Sequence, residues 1–480
     1  MKRRIVIIGL ARQGSALARY WCAQGAQVTI TDLRPKAALQ GEIAALRGLP
    51  VDYVLGGHPL SLLDACDLLF LSGGVPPETP LPQEARKRGI PLCNDSLLTL
   101  RLAPTPMIGI TGASGKTTTT ALVGEMLRAS GFKTWVGGNI GVPLIDKLGD
   151  IGREDKMALE LSSFQLQLFQ EPPPASPHIA AVLNITPNHL DRHPSMAHYT
   201  AAKANILRFQ SENDVAVLGL DNPITGRWQQ SGRVDIEQGA GQDAVHFPIQ
   251  ARQVSFSLAQ AAPEGAYLDR TRLLWRWEGR ERAICDTAEI QLRGRHNVAN
   301  ILAACAVGGA AGATPEAMRH VAVTFTGVPH RLELVQVIEG VSWYNDSIAT
   351  APERVIAALK AFDEPIILLA GGRDKHLPWA DMAHLALRRV RHLVLFGEAA
   401  DLIAQAIADA RDHAPDSGRL RLHFGNNLEQ AVARAAQLAQ AGDVVLLSPG
   451  GTSFDAYRDF QARGEHFRTL VHLLHKEKSQ

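Results

Sequence analysis

Eight consecutive residues carry the densest chemistry in this chain: Thr111-Gly112-Ala113-Ser114-Gly115-Lys116-Thr117-Thr118. They follow the apolar run Ile108-Gly109-Ile110 and precede Ala121-Leu122-Val123-Gly124-Glu125-Met126-Leu127, which reads as a helix. Strand, glycine turn and helix in that order bind phosphate. The glycines let successive backbone N–H groups face inward, and the helix N-terminus adds positive potential. Lys116 then reaches the outer phosphates, and a threonine hydroxyl takes a Mg²⁺ ion. One feature departs from the usual spacing: the first glycine would stand at position 110, which is Ile.

Other residues fit the same chemistry. Met157-Ala158-Leu159-Glu160-Leu161 reads as a buried strand bearing a carboxylate. A buried charge costs several kcal/mol without a partner, so Glu160 is expected beside a cation, and a strand-end acid near a phosphate loop suits Mg²⁺. His189 and His193 lie four apart, but Pro194 follows and the glutamate of a zinc-protease motif is missing. Lys203 falls in a helical pattern from Met196 to Phe209 and reads by default as a solvated lysine. Asn297 and Asn300 share one face of an Ala-rich helix.

The elements that position these groups read as alternating strands and helices. Arg4-Ile5-Val6-Ile7-Ile8, the turn Gly9-Leu10-Ala11-Arg12-Gln13-Gly14 and the strand Gln27–Asp32 form a βαβ unit closed by an acid. Its middle glycine is Ala11, which hinders a dinucleotide's pyrophosphate and favours another nucleotide. Asp67–Leu71 is a further strand, ending in Ser72-Gly73-Gly74. Residues 211–290 hold short alternating apolar runs and no chemical motif. In the last third, strands run into Asn345-Asp346-Ser347, Gly371-Gly372-Arg373-Asp374-Lys375 and Ser448-Pro449-Gly450-Gly451. The pattern predicts a three-domain α/β protein: a Rossmann-like unit at 1–102, a central nucleotide-binding unit at 103–326 and a second Rossmann-like unit at 327–480.

Composition narrows the function class. A net charge of +1 gives no reason to expect nucleic acid or an acidic membrane surface. Five cysteines without a Cys-x-x-Cys pair suggest neither disulfide framework nor zinc site. The apolar run after Lys2-Arg3-Arg4 enters a glycine turn and so reads as a strand and not a signal peptide, and no stretch is long and apolar enough to span a membrane. A cytoplasmic monomer acting on small molecules is the expectation.

Taken in order, nine stretches resemble the Mur ligases, the ATP-dependent amide-forming enzymes of peptidoglycan synthesis. They are the phosphate loop, Gly137-Gly138-Asn139-Ile140-Gly141, Glu160-Leu161-Ser162-Ser163-Phe164-Gln165-Leu166, His189-Leu190-Asp191-Arg192-His193, and Tyr199 with Ala202-Lys203. Gly294-x-His296-Asn297-x-x-Asn300, Pro329-His330-Arg331-Leu332-Glu333, Asn345-Asp346-Ser347, and Leu447-Ser448-Pro449 with Ser453-Phe454-Asp455 complete the series. The resemblance implies a substrate carboxylate, the L-alanine end of UDP-N-acetylmuramoyl-L-alanine, attacking the ATP γ-phosphate to give an acyl phosphate that the amine of glutamate displaces. By the same resemblance Gly112, Ala113, Ser114, Gly115, Lys116, Thr117, Thr118, Asn297, Asn300, Arg331 and Asp346 meet ATP. Thr117 and Glu160 hold one Mg²⁺, while His189 and a carbamylated Lys203 organise a second; Lys116, His189 and Lys203 are the catalytic set. Leu10, Ala11, Arg12, Asp32, Arg34, Ser72, Gly73 and Asn139 bind the UDP-substrate, and Thr350, Lys375, Ser453 and Phe460 the amino acid.

Two positions depart from the family pattern. Asn188 replaces an aspartate, and Ile348 stands where a lysine near the incoming glutamate is usual. The glutamate carboxylate must then meet Lys375, Arg373 or another cation. D-Glutamate is the expected substrate, L-glutamate or another amino acid the alternative within the family, and a non-catalytic nucleotide-binding protein the alternative outside it.

Overall fold

The computed structural model describes residues 2–189, 192–237, 244–375, 377–412 and 420–478. Leu190 and Asp191 of the His189–His193 motif lie outside the described residues. The chain forms two compact units: Met1–Gln291 with Arg295–Phe325, and Leu292–Gly294 with Thr326–Gln480.

The first unit contains two large sheets. The N-terminal one is parallel throughout, in the spatial order Val51–Leu55, Gln27–Asp32, Arg4–Ile8, Leu68–Leu71, Leu92–Cys93. Helices cover both faces of such a sheet, which is why Ile5, Val6, Ile7 and Ile8 form an unbroken apolar run and are all buried. The strand order reverses between Arg4–Ile8 and Leu68–Leu71, so the turns after these strands border one crevice, the place where open α/β sheets bind ligands. Gly9 has φ +95°, and a Cβ on Gly14 would lie 2.0 Å from the Gly9 carbonyl oxygen. Gly14 therefore lets the helix Arg12–Ala23 start directly against the turn.

The nine-stranded second sheet is parallel from Thr134–Gly138 through Lys156–Glu160, Met107–Thr111, Ile179–Val182, Val215–Gly219, Arg252–Ser257 and Gly265–Asp269. It then turns antiparallel at Arg272–Trp277 and Arg280–Asp286, so the runs of residues 211–290 extend this sheet to its edge, except Arg233–Ile236 and Val245–Pro248, which pair separately. Met107–Thr111 lies between Lys156–Glu160 and Ile179–Val182, which brings Thr111, Glu160 and the residues after Val182 to one end of the sheet. Helices Lys116–Ala129 and Arg295–Ala310 pack against each other. Two expected elements are shorter than their sequence patterns. The strand expected at 180–185 ends at Val182, because the chain turns there to bring Asn184 onto the phosphate loop. The helix expected to reach Phe209 ends at Ala204, beyond which Ile206 and Leu207 bond three residues back and the chain continues as turns.

The second unit is a six-stranded sheet in the order Glu333–Ile338, Val341–Asn345, Val444–Gly450, Ile366–Gly371, Val390–Phe396, Arg421–Phe424. Only the first pair is antiparallel, and the helices lie on both faces over two apolar clusters. All five cysteines are unpaired, and no helix among the described residues is long and apolar enough to cross a membrane.

Candidate functional site

The phosphate loop is built as a donor cup. Gly115, with φ +79°, turns the chain into the helix Lys116–Ala129. The backbone N–H groups of Ala113 and Ser114 both point at one acceptor, Asn184 Oδ1, at 3.1 and 3.0 Å. Two adjacent amides converging on one oxygen are the geometry an ATP phosphate oxygen needs. Lys116 Nζ donates to the Gly112 carbonyl at 3.0 Å. A Cβ on Gly115 would come within 2.3 Å of Asn300 Oδ1, so Asn300 abuts the loop, and Asn300 donates to Asn297 at 3.0 Å.

Glu160 is 2% exposed, yet its direct partners are neutral. Thr117 Oγ1 donates to one carboxylate oxygen at 2.8 Å and Asn139 Nδ2 to the other at 2.8 Å. Among the described residues no side-chain cation pairs directly with it, which leaves Mg²⁺ as the expected cation. Hydroxyl and carboxylate in contact at the loop form an oxygen pair that fits a hard cation. Among the described residues no group of three or more His, Cys, Asp or Glu side chains gathers, so a metal here would draw on the Glu160 carboxylate, the Thr117 hydroxyl and ligand phosphate oxygens.

Lys203 is the clearest break with expectation from residue type. It is 1% exposed and not solvated, with Nζ donating to the Gly112 carbonyl at 2.9 Å and to Thr111 Oγ1 at 3.2 Å, over the Tyr199 ring. Burial holds its ammonium pKa well below 10.5; Lys116 pushes the same way, and Glu160 opposes. A buried amine whose charged form is disfavoured is the kind that adds CO₂, so the site fits a carbamate. Beside it, His189 (φ +54°) lies edge-on to Phe164, and His193 stacks on Phe164 with centroids 5.2 Å apart. Burial, His198 and Lys203 lower the His193 pKa to about 4, so its ring is neutral at neutral pH.

The N-terminal turn supplies the opposite wall. Asp32 accepts from Leu10 N–H at 2.8 Å and from Arg34, whose Nη2 also donates to the Leu10 carbonyl. Burial pushes the Asp32 pKa up, but the bonds from Arg34 and Leu10 outweigh it and bring the value to about 2. Ser72 Oγ donates to the Gly9 carbonyl, and Gly73 N–H to Gln13 Oε1. A cavity of about 390 Å³ joins the two sheets of this unit. Ala11, Arg12, Gly73, Lys116, Asn139, His189 and Lys203, all chosen from the sequence, line it. It also exposes Gln13, Ser163 and Tyr199, which sequence reasoning did not assign. Asn184 was missed as well; its only signal is a polar residue closing an apolar strand. Among the described residues no Asp or Glu lines the cavity while Arg12 and Lys116 do, so it suits an anionic ligand.

In the second unit Asp346 is fully buried, with Ser448 Oγ donating at 2.8 Å and Leu332 N–H at 3.2 Å. Burial pushes its carboxyl up to about 7 against these bonds. An acid whose folded pKa exceeds its unfolded one stabilises most below the unfolded value, 3.8, and loses that contribution as pH rises to about 7. Asp346→Asn should therefore flatten the fall in unfolding free energy between pH 4 and 7, measured by urea denaturation; an unchanged slope would refute the assignment. His330 (φ +65°) and Leu332 (φ +43°) flank Arg331 in left-handed conformations. Lys375 Nζ donates to Thr350 Oγ1 at 3.1 Å, which joins two of the expected amino-acid-binding residues. Arg373, the other candidate cation, is held bidentately by Glu398 at 2.8 and 2.9 Å. Ser453 is buried, and the Phe460 carbonyl accepts from Ser347 Oγ at 2.8 Å.

Three family models match the chain: the Mur ligase MurD-like N-terminal domain at residues 3–94, the Mur ligase middle domain at 110–308 and the Mur ligase glutamate ligase domain at 330–451. The UDP-N-acetylmuramoylalanine–D-glutamate ligase of Symbiobacterium thermophilum is 43% identical over 99% of both chains. That of Geotalea uraniireducens is 38% identical over 99% of this chain and 98% of its own. The crystal structure of UDP-N-acetylmuramate–alanine ligase from Thermotoga maritima is similar with a TM-score of 0.55 at 18% identity, covering 98% of this chain and 99% of its own. The Thermotoga maritima MurF ligase in complex with ADP gives 0.53 at 16% identity, covering 94% of this chain and 96% of its own.

Proposed function

The chain belongs to the Mur ligase family, and from that premise we infer that it joins D-glutamate to UDP-N-acetylmuramoyl-L-alanine at the expense of ATP. The observation that carries the reading is the single cavity lined by Lys116, Lys203, His189 and Arg12. Two anionic reactants, a carboxylate and ATP, must be brought together there, and the Lys116 and Arg12 cations lower the repulsion between them.

Residue roles follow from the geometry and the family resemblance together. The amides of Ala113 and Ser114, with those of Gly112, Gly115, Lys116, Thr117 and Thr118, face the ATP phosphates, and Lys116 meets their outer oxygens. Asn297 and Asn300 border the nucleotide, and Arg331 and Asp346 are assigned to it from the second unit by resemblance. Thr117 and Glu160 hold Mg²⁺, which supplies Lewis-acid polarisation of the transferred phosphoryl group. His189 and carbamylated Lys203 are proposed to hold a second Mg²⁺. Leu10, Ala11, Arg12, Ser72, Gly73 and Asn139 position the UDP-sugar; Asp32 and Arg34 shape its turn, since Asp32 is already committed to Leu10 N–H. Thr350, Lys375, Ser453 and Phe460 receive the amino acid. The proposed domains are 1–102, 103–326 and 327–480, acting as one cytoplasmic monomer.

The test is phosphate release from ATP with Mg²⁺, UDP-N-acetylmuramoyl-L-alanine and either enantiomer of glutamate. Release with D-glutamate and not with L-glutamate is expected. Turnover with L-glutamate alone would overturn the substrate, and no turnover with either would overturn the ligase reading.

A further inference from the structure

A chain of three polar side chains runs from the cavity into the protein. Ser163 lines the cavity, is 2% exposed, and has its Oγ 2.9 Å from His193 Nε2. His193 is 1% exposed, and its Nδ1 lies 2.9 Å from His198 Nδ1. Each contact needs one proton between its two atoms, and a neutral imidazole carries a single N–H, so the whole chain must point one way. If Ser163 gives its proton to His193, the hydroxyl faces the cavity with lone pairs only. If His198 Nδ1–H donates to His193 and His193 Nε2–H donates to Ser163, the serine proton is released toward the cavity. Among the described residues Arg12 and Lys116 line the cavity and no Asp or Glu does, so it suits an anionic occupant, and only the second arrangement turns the Ser163 proton toward that anion.

We propose that Ser163 donates a hydrogen bond to the anionic UDP-substrate and that the His198–His193 pair is the positioning device that keeps the serine proton turned toward it. The pair acts through tautomer choice, with proton direction running from His198 to His193 to Ser163 to ligand. The inference rests on the ligase reading for the identity of the anion. His198 also lines a second cavity of about 390 Å³, bordered by Gln167, Asn205 and Arg208, so its ring can be reached by a small molecule once the side chain is truncated.

The experiment measures the Kd of UDP-N-acetylmuramoyl-L-alanine by calorimetry for the wild type, Ser163→Ala, His198→Ala and the double variant, with phosphate release run in parallel. Loss of one hydrogen bond to a charged group should raise Kd about ten- to a hundredfold in each single variant. The double variant should bind no more weakly than Ser163→Ala, because His198 acts only through the serine. Imidazole added to the buffer should restore His198→Ala and leave Ser163→Ala unchanged, a result that a merely structural histidine would not give. Effects that multiply in the double variant, an unaltered Kd in His198→Ala, or no response to imidazole would each overturn the proposal. Tight binding of the UDP-substrate without phosphate release would count against the ligase reading while leaving this comparison intact. No binding by the wild type would end both.

Discussion

Lys203→Met is expected to lower phosphate release by at least about a hundredfold, the scale of losing one major electrostatic contribution to the transition state, while leaving the protein folded. The stability half of that expectation comes from burial. Keeping an ammonium group at 1% exposure costs free energy, and methionine fills nearly the same volume without that cost. It leaves the Gly112 carbonyl and Thr111 Oγ1 without the lysine donor, a loss of about 1 kcal/mol per bond that offsets part of the gain. The net change in midpoint should be small. The pH dependence is more diagnostic. The folded pKa lies below 10.5, so as pH falls from 10.5 the unfolded lysine takes a proton that the folded one refuses, and stability declines until the lowered folded pKa is reached. Methionine removes that slope, so the variant gains on the wild type across the window. A variant that retains activity would remove Lys203 from the catalytic set, and one that unfolds would make it a structural residue.

What residue order conveyed, and what it did not, can be followed through the same groups. The strand Arg4–Ile8 and the paired strand Gln27–Asp32 have the bounds expected from apolar runs and glycine turns, because burial on both faces leaves a continuous apolar signature. The phosphate loop was legible from its glycines and lysine despite Ile110. That residue is fully buried in the strand Met107–Thr111, where a glycine would leave a gap. Lys203 was not legible as a buried amine, since a lysine in a helical pattern carries the same signal whether it faces solvent or core. Only the family resemblance gave it a role. The partners of Glu160 escaped for a related reason: an acid in an apolar strand calls for compensation, but neutral donors such as Asn139 and Thr117 leave no charge pattern to read. The chain Ser163–His193–His198 lay outside reach because its members meet only when the helix Met196–Ala204 packs beside the short helix Ser163–Leu166.

The second large effect concerns the amino acid, where Ile348 removes the cation that the family usually supplies. Arg373 does not replace it, because Glu398 holds its guanidinium bidentately and a second carboxylate would compete with that pair. Among the described residues Lys375 donates to the Thr350 hydroxyl. Burial lowers its pKa, with Arg354 acting the same way, and such a desolvated ammonium gains more from an incoming carboxylate than a solvated one. Lys375→Met should therefore raise the KM for glutamate by about ten- to a hundredfold, the value of a charge-assisted hydrogen bond, while the KM for ATP changes less than twofold. The lowered pKa adds a pH signature. In the wild type the KM for glutamate should begin to climb below pH 10.5 as Lys375 loses its proton, and the variant should lack that rise. Arg373→Met is the control: a larger effect there than at Lys375 would transfer the carboxylate to Arg373 and show that the Glu398 pair opens on binding.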